Sequence, residues 1–276
     1  MSTQGLKKWA LLLTFWVALQ VSPLRAQTLP FIPTGGGSGV DFELQSNGTF
    51  LAEGTFMGGT LSASGPGTRF IWFPGGAALR AGSVTGSQWD AGNVGLYSVA
   101  MGLNTTASGT YAVAMGDGSS ATGTGSTALG MGALASQEGA TASGYGARAP
   151  SWASTAFGIS TWAGGVGSVA TGIGASTSGE ASTASGYFTL ASGAFSSAFG
   201  LYTSAQAFNT FVIGTYNVGG GTPNSSVTTD PAFEIGNGTS SANPSDALVV
   251  YKNGNAVLQG SLQVAPAGDI PMYAGH

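Results

Sequence analysis

Glycine recurs at every fourteenth residue through the middle of the chain, and this fixed spacing limits the possible fold more than any other feature. Nine positions are glycine with no insertion between them: Gly102, Gly116, Gly130, Gly144, Gly158, Gly172, Gly186, Gly200 and Gly214. Two residues before each glycine stands an alanine, or Val212 in the last repeat: Ala100, Ala114, Ala128, Ala142, Ala156, Ala170, Ala184 and Ala198. A constant period of this kind is typical of a solenoid, in which stacked repeats share one core.

The residues around each glycine predict strands. A run such as Ser98-Val99-Ala100-Met101-Gly102 alternates small and larger apolar side chains and includes a β-branched residue, which favours a β-strand. Glycine then provides a corner or a positive φ. Fourteen residues therefore make two short strands and two turns, which is one coil of a flattened roll whose coils stack about 4.8 Å apart. We expect an all-β fold, a parallel β-roll of nine such coils over residues 96–221.

The alternation also assigns side chains to the two faces of each strand. We expect the larger side chains on either side of the alanine to fill the thin core of the roll: Val99, Met101, Val113, Met115, Leu129, Phe157, Phe199 and Ile213. The alanines then point the opposite way, onto a surface that another backbone can approach closely. Residues 96–221 contain only Asp117, Glu138, Arg148 and Glu180 as charged residues. So little charge predicts that the roll assembles with copies of itself through the alanine face.

The two ends of the chain differ from the repeats. Lys7 and Lys8 precede an apolar run from Trp9 to Leu19, and Ala26 completes the three-part pattern of a secretory signal peptide. Outside the repeats we expect a signal peptide at 1–26, a flexible lead at 27–39, a β-rich cap at 40–95, a β-hairpin segment at 222–265 and a disordered tail at 266–276. The Asn-Gly turn at Asn253 predicts the hairpin.

Arginines and aromatic residues concentrate in the segment before the repeats. This segment contains Arg69, Trp72, Arg80, Trp89 and Asp90. Such a composition suits a contact surface for a partner. It also suits a cap that covers the open end of the solenoid, because an uncapped solenoid exposes a strand edge. We expect the cap and keep the contact surface as the alternative.

The composition leaves few groups for chemistry. The chain has no cysteine, and its single histidine is the last residue, His276. Asp41 and Glu43 share a strand face but are expected to be a solvated edge, and Asp117 is the only aspartate of the repeats. We therefore predict no catalytic residues, no metal or calcium site and no cofactor. With 7% charged residues and a net charge of −4, a nucleic-acid partner is excluded as well, because such partners need clustered lysine and arginine.

The repeated phrases resemble a known family. The stretches YSVAMGLNTTASG, TYAVAMGDGSSATG and STALGMGALAS are similar to the head repeats of trimeric autotransporter adhesins, the YadA-like head, over about residues 95–215. The resemblance implies a left-handed parallel β-roll in which three chains surround one axis. It also implies export to the cell surface, as part of the outer membrane or the extracellular space. The implied function is attachment to matrix proteins, to host or bacterial cells, or to other copies of the same protein.

Two other functions stay open for a β-solenoid of this kind. One is a structural, tail-fibre-like or ice-binding role, but an ice-binding face needs a regular Thr-x-Thr array, which the triplets after the glycines do not maintain. The other is an enzyme on a β-helix, such as a polysaccharide lyase, which needs clustered charged residues that the repeat columns lack. We expect no enzymatic activity and no transmembrane segment in the mature chain.

Overall fold

The computed structural model describes residues 47–261 and the backbone of residues 42–44. The predicted signal peptide, lead and tail lie outside the described residues, as do Asp41 and His276. The chain divides into two compact units, residues 1–59 and residues 60–276. The segment 40–95, predicted as one cap, is thus shared between both units. Among the described residues, no helix has the length and apolar character needed to cross a membrane.

The described residues form strands and two short 3-10 turns, Pro74–Gly76 and Ala91–Asn93. The strands are β1 (Phe42–Leu44), β2 (Phe50–Ala52), β3 (Gly67–Phe73), β4 (Ala78–Val84), β5 (Val99–Leu103), β6 (Thr106–Ala107), β7 (Val113–Asp117), β8 (Ser120–Ala121), β9 (Thr127–Met131), β10 (Leu134–Ala135), β11 (Thr141–Tyr145), β12 (Arg148–Ala149), β13 (Thr155–Ile159), β14 (Trp162–Ala163), β15 (Val169–Ile173), β16 (Ser176–Thr177), β17 (Thr183–Tyr187), β18 (Leu190–Ala191), β19 (Ser197–Leu201), β20 (Ser204–Ala205), β21 (Phe211–Thr215), β22 (Pro231–Asn237), β23 (Asp246–Tyr251) and β24 (Ala256–Leu258).

The first unit contains an antiparallel pair. Strands β1 and β2 align Phe42 with Ala52. Between the two strands, Gly48 has φ +85° and the amide of Thr49 donates to Asn47 Oδ1 at 2.9 Å. An Asn-Gly pair is typical of a tight hairpin turn, because glycine accepts a positive φ without steric cost.

The second unit is a parallel β-solenoid, which confirms the predicted fold class. Nine strands of five residues, β5 to β21 in odd numbers, pair in parallel in one sheet; we call them the long strands. Eight strands of two residues, β6 to β20 in even numbers, form a second parallel sheet; we call them the short strands. Each residue of a long strand pairs with the residue fourteen positions further on, as Thr141 does with Thr155. Eight complete coils follow one another, and β21 begins a ninth.

The periodic glycines lie inside the long strands, one residue before the strand ends, and not in the turns where they were predicted. Gly158 has φ +128°, and a Cβ added there would stand 2.0 Å from the carbonyl oxygen of Gly172 in the next coil. The same close approach recurs along the series. Glycine is therefore required for two reasons at once, because a side chain would be strained at this φ and would also push neighbouring coils apart.

The turns contain a different set of residues with left-handed backbone. One such residue follows each periodic glycine by two positions: Asn104, Gly118, Gly132, Gly146, Ser160, Gly174, Phe188, Tyr202 and Tyr216. The opposite turn repeats in the same way: Tyr97, Tyr111, Gly125, Gly139, Ala153, Gly167, Ala181, Phe195 and Asn209. Side chains are tolerated in these turns because they point away from the ladder, although a left-handed residue other than glycine costs about 1 kcal/mol.

The core of the roll consists of the alanines, so the predicted side-chain directions were wrong. Ala100 and its equivalents at 114, 128, 142, 156, 170, 184 and 198 have no exposed surface in a single chain, and the same holds for Ala107 on the first short strand. Met101 is 40% exposed and Phe157 is 60% exposed. The inward positions hold alanine, serine, threonine or glycine in nearly every coil, so the interior is too narrow for larger side chains, which must face outward. The alanines are enclosed within their own chain and cannot form the interface between chains.

Serine has a defined role beside this core. The buried serine that precedes the long strand donates its hydroxyl to a carbonyl three residues earlier, as Ser126 Oγ does to Gly123 O at 2.7 Å. Ser168, Ser182 and Ser196 make the same bond at 2.7 Å. Each bond closes the turn that leads into the next long strand and satisfies a buried hydroxyl.

The long-strand sheet continues beyond the repeats at both ends. Gly82 of β4 aligns with Gly102, although twenty residues separate them, and Gly236 of β22 aligns with Gly214 across twenty-two residues. Strands β3 and β4 then pair antiparallel at one end, while β22, β23 and β24 pair antiparallel at the other. The hairpin of β23 and β24 turns at Lys252 to Asn255, where the Asn-Gly pair predicts it. The cap and the hairpin segment were predicted, but the extension of the ladder by β4 and β22 was not, because their spacing from the repeats differs from fourteen.

Candidate functional site

The outer surface of the long strands carries most of the large apolar side chains. The first, third and fifth residues of each long strand point outward, while the second is buried. We call this surface the apolar face. Its third-residue column is Met101, Met115, Leu129, Ser143, Phe157, Thr171, Ser185, Phe199 and Ile213. Its fifth-residue column is Leu103, Asp117, Met131, Tyr145, Ile159, Ile173, Tyr187, Leu201 and Thr215.

The apolar face is large, nearly uncharged and uncovered in the single chain. Tyr145 is 58% exposed and Ile159 is 47% exposed. Asp117 is the only charged residue in the two columns. Monomeric soluble proteins rarely expose a contiguous apolar surface of this kind, and its presence marks a site of interaction. The residues predicted for the roll core therefore lie together on one surface, and that surface has the properties of an interface.

The short strands form the opposite surface, which is smaller and more polar. Each short strand has one buried and one outward residue, and the outward ones are Thr106, Ser120, Leu134, Arg148, Trp162, Ser176, Leu190 and Ser204. Most are small or polar. We call this surface the short-strand face. Arg148 and Trp162 interrupt it on two adjacent coils.

A buried arginine and a buried tryptophan cover the first coil of the solenoid. Arg80 stands in register with Ala100, so its side chain enters the position that alanine fills in the coils. Its guanidinium donates to Ser98 O at 3.0 Å, Ser98 Oγ at 2.8 Å and Ala107 O at 2.9 Å. Trp89 is fully buried and donates its indole N–H to Thr105 O at 2.9 Å. Burial lowers the pKa of Arg80 to about 10, and the group keeps its charge at neutral pH. Both side chains are thus buried against the first coil, and neither is free to contact a partner.

Carboxylates occupy the corresponding place at the other end. Glu234 stands in register with Val212 and is 1% exposed. Its Oε2 accepts from Asn217 Nδ2 at 2.5 Å and from the Gly219 amide at 3.3 Å, and Asp246 accepts from the Val218 amide at 3.1 Å. Burial raises the pKa of Glu234, which the bond from Asn217 opposes and the charge of Asp246 reinforces. Burial also raises the pKa of Asp246. These groups satisfy amides that follow the last coil.

The comparison with protein families matches these coils. The YadA head domain repeat (2 copies) matches residues 94–119, 120–147 and 178–203. These coils are YadA head repeats. A search of the curated proteins found no match for the chain. The YadA head is the adhesin-like head of trimeric autotransporters, so the expected family is confirmed.

Aromatic residues stack along one corner of the solenoid. Phe188, Tyr202 and Tyr216 occupy the left-handed turn position in successive coils. Their rings stack nearly parallel, with centroids 5.2 Å and 4.9 Å apart. Stacking of this kind contributes about 0.5–1.5 kcal/mol per pair, which offsets the strain of a left-handed aromatic residue. Tyr97 and Tyr111 stack in the same manner in the opposite turn.

Among the described residues, no group of three or more histidine, cysteine, aspartate or glutamate side chains could bind a metal ion. Asp117, Glu138 and Glu180 lie in different coils. The buried carboxylates and the buried arginine bond to backbone groups at opposite ends of the solenoid. The apolar face and the short-strand face are the candidate functional surfaces.

Proposed function

We propose that this chain is the head of a trimeric surface adhesin, in which three rolls pack their apolar faces around a common axis and attach to surfaces without catalysing a reaction. The apolar face carries this proposal. Its large side chains, such as Phe157 and Ile159, are about half exposed in the single chain. Burying the exposed half of one such side chain stabilises an assembly by about 1 kcal/mol.

The regular register of the coils makes the apolar face suitable for a long interface. Because the ladder has no slippage from β5 to β21, each outward column is continuous and presents the same position of every coil. Copies of the chain can then pack in parallel along the whole solenoid. The threefold number follows the family, in which heads of this type are trimeric. The predicted homotrimer is thus retained, with the apolar face in place of the alanines as its interface.

The short-strand faces remain on the outside of such a trimer. Three identical copies of every outward site would then act together, and multivalent binding raises the overall affinity well above that of one site. The partners that suit this arrangement are extracellular matrix, host or bacterial cell surfaces, and other heads. An ice-binding role is disfavoured because only Thr106 among the eight outward short-strand residues is a threonine. Export to the cell surface belongs to the same proposal.

Substitution of one residue in the apolar face tests the assembly. We expect size-exclusion chromatography with light scattering to give a trimer for the full chain. Phe157→Asp introduces three charges near the axis and should yield monomers that no longer attach to matrix-coated or cell-coated surfaces. Ser176→Asp places the same charge on the short-strand face and should leave the trimer intact. A stable wild-type monomer at micromolar concentration, or a trimer that tolerates Phe157→Asp, would refute the proposal.

A further inference from the structure

One stretch of the solenoid departs from the family pattern without any change in its backbone. Residues 148–177 lie between the matched segments. Within this stretch the ladder nevertheless keeps its register, with Thr155 paired to Val169 and Gly158 to Gly172. The stretch also contains two exposed tryptophans and Arg148, the only cation in residues 96–221. Because the fold does not require these side chains, their presence needs another explanation.

Arg148 and Trp162 are direct neighbours on the short-strand face. They pair in adjacent parallel strands, which places their backbones about 4.8 Å apart. Equivalent positions in other coils hold serine, threonine or leucine. The side chain of Arg148 is exposed, and its guanidinium forms no hydrogen bond or ion pair with any residue in the described part of the chain. An exposed cation with no neighbouring carboxylate is available to an anionic ligand.

The indole of Trp162 lies along the backbone of the next glycine. A Cβ added to Gly164 would stand less than 2.5 Å from Trp162 Nε1, so the ring occupies the space that a side chain there would fill. Trp162 is still 42% exposed. Ser151, in the preceding coil, donates its hydroxyl to Gly164 O at 2.6 Å and fixes this turn. The neighbouring Trp152 is 54% exposed. Trp162 is thus a supported aromatic surface beside a cation.

We propose that Arg148 and Trp162 form the binding site for a sugar ring that carries a single carboxylate, presented at the end of a surface glycan. A guanidinium binds a carboxylate through two parallel hydrogen bonds. The indole supplies an apolar surface for the C–H face of the same ring. Because Arg148 and Trp162 lie on adjacent strands about 4.8 Å apart, both can contact one sugar. This inference rests on the proposed function, because it names the ligand class of the adhesive surface.

The charge of the chain favours one carboxylate over a polyanion. Polyanions bind through many lysine and arginine contacts that release counterions. The described repeats offer one cation per chain, and the whole sequence has a net charge of −4. A single anionic group can bind at Arg148 by a local contact, since charges beyond about 8 Å are screened at physiological ionic strength. In a trimer the site would occur three times and favour clustered glycans.

Titration of the full chain with sialyllactose tests this site, with lactose as the neutral probe, at physiological ionic strength. Ligand-observed NMR or calorimetry measures the affinity. The wild type should bind sialyllactose about tenfold or more tightly than lactose, since a charge-assisted hydrogen bond has that effect. Arg148→Ser should remove this preference, and Trp162→Ser should remove binding of both sugars. Serine stands at the same position in three other coils, so both variants should fold.

Leu190→Ser is the matched control, because it changes the same column two coils away and should bind like the wild type. Equal binding of lactose and sialyllactose by the wild type would overturn the proposal, as would unchanged binding by Arg148→Ser or preferential binding of heparin. A wild-type trimer that attaches to surfaces but ignores sialyllactose would overturn the glycan site and leave the adhesin function standing. A monomer that attaches to nothing would overturn the adhesin function itself.

Discussion

Replacement of one ladder glycine by alanine should destabilise the solenoid far more than replacement of a turn glycine. At Gly158 the φ is +128° and the new Cβ would lie 2.0 Å from Gly172 O, whereas ordinary contacts begin at 3.4 Å. The two coils must separate by more than about 1 Å. Ladder hydrogen bonds near 2.9 Å would then exceed their normal range. The loss of two hydrogen bonds, the desolvation of their buried groups and the strained φ should together lower the free energy of unfolding by about 4 kcal/mol.

Gly132 provides the matched control for this substitution. It also has a positive φ, of +65°, but a Cβ added there would meet nothing within 4 Å. Asn104 and Ser160 stand at equivalent turn positions of other coils. Gly132→Ala should therefore cost only about 1 kcal/mol, which is the usual penalty for a left-handed residue with a side chain.

Chemical denaturation followed by circular dichroism measures the difference between Gly158→Ala and Gly132→Ala. All proteins must be compared at one concentration, because the stability of an oligomer depends on it. We expect the free energy of unfolding to fall by about 3 kcal/mol more for Gly158→Ala than for Gly132→Ala. Equal losses in the two variants would show that the close approach of the coils does not set the glycine requirement, and the reasoning would fail.

Two further predictions concern the ends of the solenoid. Arg80→Met removes the donors to Ser98 O and Ala107 O and should lower the free energy of unfolding by about 2 kcal/mol in the same denaturation assay. Arg148 is exposed, so the control Arg148→Met should change the free energy of unfolding by less than about 0.5 kcal/mol. Burial raises the pKa of Glu234, so its contribution to stability is complete below the ordinary glutamate pKa of about 4.3 and is lost as the pH rises through the raised value. The melting temperature of the wild type should therefore fall from acid towards neutral pH, and Glu234→Gln should reduce this dependence on pH. An unchanged pH dependence in Glu234→Gln would contradict the assignment.

The sequence predicts the repeat, but it does not predict which of its side chains point into the core. Glycine at every fourteenth residue predicts a coil of two strands and two turns, and the structure has those coils in that register. Alternation shows that Ala100 and Met101 lie on opposite faces, but it does not show which face is inside. Size would have been the better guide, because a coil closed by turns of a few residues encloses a space that only small side chains fill.

The extension of the ladder by the strands that flank the repeats could not be predicted from the sequence, for a different reason. Arg80 and Glu234 extend the alanine column at its two ends, yet twenty and twenty-two residues separate these units from the nearest repeat. The short phrases around Gly82 and Gly236 resemble the repeat, but a search at a fixed period cannot find them.

The fourteen-residue period, the all-β class and the family are properties of the local order of residues, which backbone geometry translates directly into coils. The identity of the core, the apolar face and the neighbouring positions of Arg148 and Trp162 depend on which surfaces are covered when the coils stack. That outcome is set by the width of the space between two sheets and by contacts between residues fourteen positions apart. No single repeat contains that information, because its two faces become inside and outside only when the coil closes.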